Sequence, residues 1–285
     1  MNYISFRTAA GIDTWGISDE GTVYDLGPTG LNLAESIKEA ITSGIFGTIT
    51  TEQLAQAPSS AESEVEFLPA VPDPTKILCI GVNFTSHMKE SGKGLDAKVP
   101  TVFTRFTDSQ IGHLQPTEMP SITTQFDYEG ELAVVISKPA HRVSASDAMD
   151  YVAGYSIYND FTCRDWQRET TQWIPGKNFP GTGAFGPYLV PLHNIENFDD
   201  KVLETRVNGD VRQHTTLGDL HFGVPALIEH ITGFTQLNPG DVIITGTPGG
   251  VGLFMDPPAL LSEGDNVEVE ITGLGVLRNT VKAVV

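Results

Sequence analysis

The sequence predicts a β-rich α+β protein, and three observations lead to that class. Short apolar runs typical of strands recur along the chain, glycine and proline separate them throughout, and only three segments carry a clear helical periodicity. The regular strand–helix alternation of a doubly wound sheet is not present in this pattern. With 285 residues, the chain is long enough for a large core and for one or two domains.

Residues 1–70 are expected to form a small N-terminal α/β domain. Glycine and aspartate turns separate its strand-like runs, and apolar residues at helical spacing over 33–41 predict one short amphipathic helix. The polar stretch that follows leads into several prolines, which propagate neither helix nor sheet and so indicate a linker. The strand-like runs are 3–7, 14–17 and 22–24.

Residues 71–285 are expected to form the larger, catalytic domain. Helices are predicted over 144–152, where Ser144 and Asp147 resemble a capping box, and over 222–231. The glycine-rich run 246–252 lacks the residue order of a phosphate-binding loop and predicts a tight turn. The strand-like runs are 77–82, 126–136, 155–160, 241–245, 266–271 and 276–284.

The charge balance excludes several kinds of partner. The formal net charge is −19, which provides no electrostatic footprint for nucleic acid or for an anionic membrane surface. No apolar run approaches the roughly 18 residues of a membrane-spanning helix, and the N-terminus has no signal-peptide pattern. Cys79 and Cys163 lie in no zinc-type cluster and are expected to be buried free thiols. We therefore expect a cytoplasmic protein with a small-molecule substrate.

Two carboxylates stand two residues apart in the run 126–136, and a third ends the run 155–160. Side chains alternate faces along a strand, so Glu129 and Glu131 are expected to point the same way. Taken alone, such a pair is more often two solvated acids on an outer strand face. Buried on one face the like charges repel, and a divalent cation removes that cost. With Asp160, the pair supplies the charge and the hard oxygen ligands that suit Mg²⁺ or Mn²⁺.

A candidate acid–base pair follows the first strand of the larger domain. His87 and Glu90 are three residues apart, and in a helix this spacing places them on one face. A carboxylate bonded to one imidazole nitrogen fixes the tautomer, so that the other nitrogen acts as a base. A surface pair in a loop is the competing interpretation of the same spacing.

From about residue 77 to the C-terminus, the chain resembles the fumarylacetoacetate hydrolase superfamily. The landmarks occur in the family's order, and the ordered set is far more specific than any one of its pieces. The first block resembles the variable small N-terminal domain of the same proteins. The landmarks read CIGVNFTSHMKESG, DYEGELAVVI, GYSIYNDFTCRDWQ, GKNF, FGPYLV, VNGDVRQ, LNPGDVIITGTPGGVG and GDNVEVEITGLGVLRN.

The resemblance implies a fold of mixed strands rolled into a barrel-like core, usually assembled as a homodimer. It implies that Glu129, Glu131 and Asp160 bind Mg²⁺ or Mn²⁺, and that His87 and Glu90 activate water. Lys177 is expected to be catalytic as well, by stabilising an enolate. The positions that match the family's substrate site are Arg164, Gln167, Lys177 and Thr247.

Two departures from the family pattern concern the substrate. Many relatives carry lysine where this chain has Arg105, and the family's D-T-F-A-P stretch is replaced at 180–184. A guanidinium grips a carboxylate through two hydrogen bonds, where a lysine offers a point charge. We therefore expect Arg105 to bind a second, distal carboxylate of the substrate. A structural pairing with an acid such as Asp108 is the competing interpretation.

Members of the family act on 2,4-dioxo acids and related 2-oxo dicarboxylates by C–C hydrolysis, decarboxylation or enol–keto isomerisation. Because the dyad fits water activation, we expect a metal-dependent hydrolase of an acylpyruvate such as maleylpyruvate or fumarylpyruvate. Such an enzyme releases pyruvate in aromatic-compound breakdown of the gentisate-pathway type. The alternative is a decarboxylase or isomerase of a 2-oxo dicarboxylate, such as oxaloacetate or 2-hydroxyhepta-2,4-diene-1,7-dioate. A non-catalytic metal and carboxylate sensor is a third, weaker hypothesis, because a sensor needs no dyad.

Overall fold

The computed structural model describes residues 1–92 and 96–284, and strands dominate it. The strands are β1 (Asn2–Arg7), β2 (Asp13–Asp19), β3 (Thr22–Asp25), β4 (Ser59–Ala61), β5 (Glu66–Phe67), β6 (Ile77–Gly81), β7 (Thr101–Arg105), β8 (Gln110–Ile111), β9 (Thr117–Pro120), β10 (Phe126–Asp127), β11 (Gly130–Ile136), β12 (Val152–Asp160), β13 (Thr162–Cys163), β14 (Gly183–Pro191), β15 (Val202–Val207), β16 (Asp210–Thr216), β17 (Val242–Ile244), β18 (Asn266–Ile271) and β19 (Gly275–Val284). The α-helices are α1 (Ile37–Thr42), α2 (Thr51–Leu54), α3 (Thr85–Glu90), α4 (Arg164–Gln167), α5 (Ile174–Lys177) and α6 (Val224–Phe234). The prediction of a β-rich α+β fold is confirmed.

The strands form two large sheets and a two-stranded ribbon. The larger sheet runs in the order β4-β3-β2-β1-β14-β12-β11-β17-β6-β7, with β5 beside β1 and β8 beside β14. The smaller sheet runs β16-β15-β18-β19-β9, and β10 pairs with β13. Among the described strands these paths stay open, so the barrel-like core implied by the resemblance is a set of packed sheets and not a closed barrel.

The N-terminal block joins the larger sheet. Strand β1 pairs antiparallel with β14, with Tyr3 opposite Leu189, and this pairing continues the sheet into β2 and β3. The helix predicted over 33–41 is α1, which begins at Ile37. The division of the chain near residue 70 stays a prediction.

Strand β11 explains where the core lies. Leu132 and Val134 belong to one buried apolar cluster, whereas Ala133 and Val135 belong to another. Successive side chains of a strand point to opposite faces, so β11 is covered on both sides and its sequence is continuously apolar. Its neighbours are β12 and β17, both antiparallel to it. Glu131, the second residue of β11, is therefore held in the buried interior.

Two predicted elements differ in detail from the structure. The run 126–136 is interrupted at Tyr128 and Glu129, which separate β10 from β11. The helix predicted over 144–152 is reduced to a 3₁₀ turn over Ala148–Tyr151. There the Ser144 hydroxyl donates to the Asp147 carboxylate at 2.8 Å, so it does not cap a helix.

Both cysteines are buried and free, as expected. Among the described residues, no helix is long and apolar enough to cross a membrane.

Candidate active site

Three buried acids meet at one end of the β11–β12 pair. Glu129 immediately precedes β11, Glu131 lies within it, and Asp160 ends β12. The backbone N–H of Asp160 donates to the carbonyl of Glu129 at 2.9 Å, which aligns the two strand ends. One carboxylate oxygen from each residue lies within 4.8 Å of the others, and the three residues are 6%, 2% and 0% exposed. The predicted convergence of these acids is therefore present in the fold.

Lys177 and Arg164, which line the cavity, pair with part of this cluster. The Lys177 amine donates to Glu129 at 2.6 Å and to Asp160 at 2.7 Å, and Arg164 donates to Glu129 at 2.5 Å. Burial opposes the charge on Lys177, but the negative charges of Asp160 and Glu129 outweigh it and raise the pKa of that amine. Burial likewise opposes ionisation of Glu129, yet Lys177 and Arg164 lower the pKa of its carboxyl to about 2. These groups are held in their charged forms.

Glu131 has a different environment. In the described chain, the ion pairs of the cluster go to Glu129 and Asp160, and none goes to Glu131. Burial, together with the negative charges of Asp160 and Glu129, raises the pKa of Glu131 well above its usual value. A divalent cation among the three oxygens would reverse that repulsion, and an all-carboxylate donor set suits a hard cation. The residues present therefore fit Mg²⁺ or Mn²⁺.

Asp127 is a site residue that the sequence analysis missed. It is fully buried, and its carboxylate accepts the Arg164 Nε–H at 2.8 Å and the Leu253 N–H at 3.0 Å. The Asp127 carboxylate therefore bridges Arg164, which pairs with Glu129, and Leu253, which follows the glycine-rich run. The spacing of residues 127, 129 and 131 was the available signal, since alternate positions share one face of a strand.

The glycine-rich run 246–252 is a row of backbone donors and not a phosphate loop. Gly246 has a φ of 99°, a conformation that favours glycine, and its N–H is directed toward Glu131. The backbone N–H groups of the run thus hold the carboxylates of Glu131, Glu90 and Asp127 in place. The donations are Gly246 to Glu131 at 2.5 Å, Gly249 to Ser86 at 3.2 Å, Gly250 to Glu90 at 2.8 Å and Gly252 to Asp127 at 2.9 Å.

The predicted His87–Glu90 contact forms on helix α3. His87 Nδ1 lies 2.9 Å from Glu90 Oε2, and the other oxygen of Glu90 accepts the Gly250 N–H. His87 is 6% exposed, and its Nε2 makes no hydrogen bond to any residue in the described ranges. An imidazole held at one nitrogen and free at the other is arranged for proton transfer.

Glu129, Glu131 and the imidazole of His87 line one cavity of about 240 Å³. Its apolar wall includes Trp173, which packs so closely on Gly81 that a Cβ there would lie 2.1 Å from the indole ring. The four positions that resemble the family's substrate site all lie on the wall. The cavity is lined by Ile80, Gly81, Val82, His87, Ser91, Phe103, Glu129, Glu131, Arg164, Gln167, Arg168, Trp173, Lys177, Thr247, Leu253 and Phe254.

Arg105 lies elsewhere, and the expectation that it binds a distal substrate carboxylate is wrong. It is 2% exposed and is not part of the cavity wall. Its guanidinium lies behind the metal-site acid, where it donates to the carboxylate of Asp160 and, at 2.6 Å, to the hydroxyl of Thr182. The pairing with Asp108 is not made either. Arg105 is a structural partner of Asp160, because strand β7 directs this side chain into the core.

The fold and the site together define an enzyme with a buried carboxylate centre of the metal-binding kind. Residues 76–282 match the family model described as fumarylacetoacetate (FAA) hydrolase C-terminal, so the chain belongs to this family. The resemblance seen in the sequence is thereby confirmed.

Three similar proteins bear on the activity. The mitochondrial oxaloacetate tautomerase of Homo sapiens is 40% identical over 229 residues, which is 80% of this chain and 73% of that protein. The oxaloacetate tautomerase of Bacillus subtilis is 41% identical over 222 residues, covering 77% and 74%. A solved fumarylacetoacetate hydrolase from Exiguobacterium antarcticum superposes with a TM-score of 0.88 at 35% identity, covering 100% of each chain.

Proposed function

We propose that the protein is a metal-dependent enzyme of 2-oxo dicarboxylates that interconverts the enol and keto forms of oxaloacetate. The observation that carries the proposal is His87, which is bonded to Glu90 and lines the same cavity as Glu129 and Glu131. The names of the human and Bacillus subtilis relatives supply the substrate class. This reading favours the isomerase alternative over the acylpyruvate hydrolase expected from sequence, because neither relative is named as a hydrolase.

Substrate binding in this proposal uses groups that the protein leaves free. Arg164 Nη2 is buried without a hydrogen-bond partner among the described residues, so it is free to donate to the C1 carboxylate of the substrate. Gln167 lines the cavity, and its side-chain oxygen accepts from Arg164 at 3.2 Å, which leaves the amide N–H₂ for a substrate oxygen. These two side chains set the orientation of the 2-oxo acid head.

The metal ion would be held by Glu129, Glu131 and Asp160, and it would supply Lewis-acid polarisation of the C2 oxygen. The chain's own residues then move the protons. From enol to keto, the C2 hydroxyl loses a proton to solvent and His87 Nε2 delivers one to C3. In the reverse direction His87 Nε2 accepts the C3 proton. Glu90 holds the imidazole by Nδ1 and so fixes its orientation.

The test is the loss of enol absorbance of oxaloacetate, followed with Mg²⁺ or Mn²⁺ and again after chelation. We expect turnover only with the metal, and we expect His87→Ala to lower kcat by about 10²–10⁴, the usual contribution of general acid–base catalysis. His141→Ala is the matched control, because His141 is exposed and is not on the cavity wall. An unchanged rate in His87→Ala, or full activity after chelation, contradicts the proposal.

A second candidate is acylpyruvate hydrolysis, which the same dyad favours because His87 Nε2 is also free to deprotonate a water. The products separate the candidates: tautomerisation leaves the mass of oxaloacetate unchanged, decarboxylation releases CO₂, and hydrolysis of acetylpyruvate or maleylpyruvate yields pyruvate. The homodimer and the cytoplasmic location implied by sequence also stay proposals. Light scattering of the purified protein tests the first, and fractionation of the source cells tests the second.

A further inference from the structure

Among the described residues of the cavity wall, one cation forms no ion pair with an acid. Arg164 and Lys177 both line the cavity and both form ion pairs with the buried acids. Arg168 also lines the cavity, and it forms no ion pair with a carboxylate in residues 1–92 and 96–284. The chain has a net charge of −19, so a guanidinium that pairs with none of its acids is unusual. Its position on a cavity wall suits it to bind an anionic ligand.

The guanidinium of Arg168 is held in place by neutral groups. Its Nε donates to the carbonyl of Arg164 at 3.1 Å, and its Nη2 donates to the side-chain oxygen of Gln125. Its Nη1 makes no hydrogen bond to a described residue. The side chain is therefore oriented while keeping donors and its full charge for a ligand, which lowers the entropic cost of binding one.

The position of Arg168 decides which part of a ligand it meets. The buried cations Arg164 and Lys177 lie at the acid cluster, whereas Arg168 and Phe254 are the exposed members of the cavity wall. The described wall also includes the apolar side chains of Leu253 and Trp173, and beyond Arg164, Lys177 and Arg168 its described residues supply no lysine or arginine. A substrate whose 2-oxo acid head lies at the acid cluster thus presents its far end to Arg168.

We propose that Arg168 is a specificity-determining residue that binds the distal carboxylate of a dianionic 2-oxo acid. The inference rests on the proposed function for the position of the substrate head. The sequence analysis had expected Arg105 to bind the distal carboxylate, and the inference gives this role to Arg168. Arg168 then selects diacids such as oxaloacetate over 2-oxo acids that end in a neutral group.

The kinetic test compares oxaloacetate with its 4-methyl ester, which keeps the head and loses the distal charge. We expect Arg168→Gln to raise KM for oxaloacetate about fivefold, the upper end of what an exposed ion pair contributes. The ester should be unaffected, and Arg168→Lys should restore part of the loss. Arg142→Gln is the matched control, because Arg142 is exposed, forms no ion pair in the described chain and is not on the cavity wall. Equal losses on both substrates, or no loss on either, would overturn the inference.

A binding measurement separates this inference from the proposed activity. Malate and lactate share a 2-hydroxy acid head, and only malate has a distal carboxylate. Calorimetry with the Mn²⁺-loaded protein should give a preference for malate that disappears in Arg168→Gln. If the wild-type protein fails to turn over oxaloacetate and this preference is nonetheless lost in the variant, the activity assignment fails and the role of Arg168 stands. If the variant weakens malate and lactate equally, the role of Arg168 fails.

Discussion

Two clusters of ion pairs in this molecule have similar geometry and very different surroundings. At the site, Lys177 and Arg105 contact Asp160, and the side chains of all three are 0–1% exposed. On the smaller sheet, Arg206 contacts Glu204 at 2.6 Å and Glu268 at 3.0 Å, with side chains 19–24% exposed. Distances alone would rank the two clusters as equals.

Burial makes the difference between them. An exposed ion pair gains little, because water already solvates both charges and salt screens them. In a buried cluster, removing one member leaves the other as an uncompensated charge in a poor solvent, and the loss is large. The comparison teaches that the distance between two charged groups indicates how much the pair stabilises the fold only when the burial of the pair is also known. Three changes test this contrast.

The largest effect on stability is expected at Arg105. Replacing it with methionine keeps much of its volume but removes one of the two cations that pair with the Asp160 carboxylate, and it removes the donor to the Thr182 hydroxyl. We expect the free energy of unfolding of the metal-free protein to fall by roughly 3–5 kcal/mol, measured by urea denaturation. A fall of less than about 1 kcal/mol would mean that this buried pair behaves like a surface pair.

An intermediate and pH-dependent effect is expected at His113. Its Nδ1 accepts the backbone N–H of Arg278 at 3.0 Å, and burial together with the Arg278 charge lowers the pKa of His113 from 6.5 to about 4. Between about pH 4 and 6.5, His113 is therefore protonated in the unfolded chain and neutral in the folded chain. Stability is unaffected above the unfolded pKa and is lost as the pH falls from about 6.5 toward 4, by about 3 kcal/mol in total.

His113→Gln should flatten this part of the stability–pH curve, since glutamine accepts the same N–H and does not titrate. The measurement is the urea midpoint at several pH values between 4 and 7. The exposed His141→Gln is the control and should leave the slope as it is in the wild type. An unchanged slope in the His113 variant would show that its imidazole is solvated in the folded state.

The smallest effect is expected at Arg206, although it contacts three glutamates. Arg206→Met should change the free energy of unfolding by less than about 1 kcal/mol, and 1 M salt should remove most of that difference. The same denaturation assay with and without salt measures both. A loss as large as that at Arg105 would show that the surface network acts as a cooperative unit.

The sequence predicted the acid cluster well because its logic is local. Glu129 and Glu131 are two residues apart, and two like charges need a compensating cation once the strand face that carries them is buried. The break between β10 and β11 at Tyr128 and Glu129 was not predicted, because it depends on how β10 pairs with β13 and not on propensity. The acids converge nonetheless, since Asp160 lies beside Glu129 at the end of the next strand.

The role of Arg105 was beyond the sequence for the opposite reason. Whether this side chain points into the cavity or behind it is set by the pairing of β7 with β6, in which Arg105 lies opposite Ile77. A one-residue shift in that register would reverse the direction of the guanidinium. Asp127 and Arg168 were missed because each acts through partners that are distant in sequence or on a neighbouring turn. Long-range register is the information that a single sequence does not hold.

The parallel pairing of β17 with β6 has a consequence for how the molecule comes into being. Val242 lies opposite Ile77, so more than half of the chain must be synthesised between the two partners. Closing so long a loop is entropically costly, and folds rich in such distant pairings assemble slowly. Until β17 emerges from the ribosome, the apolar strand β11 has one bare edge, a template for pairing with another chain. The newly made enzyme is therefore most vulnerable to aggregation just before it acquires its active site.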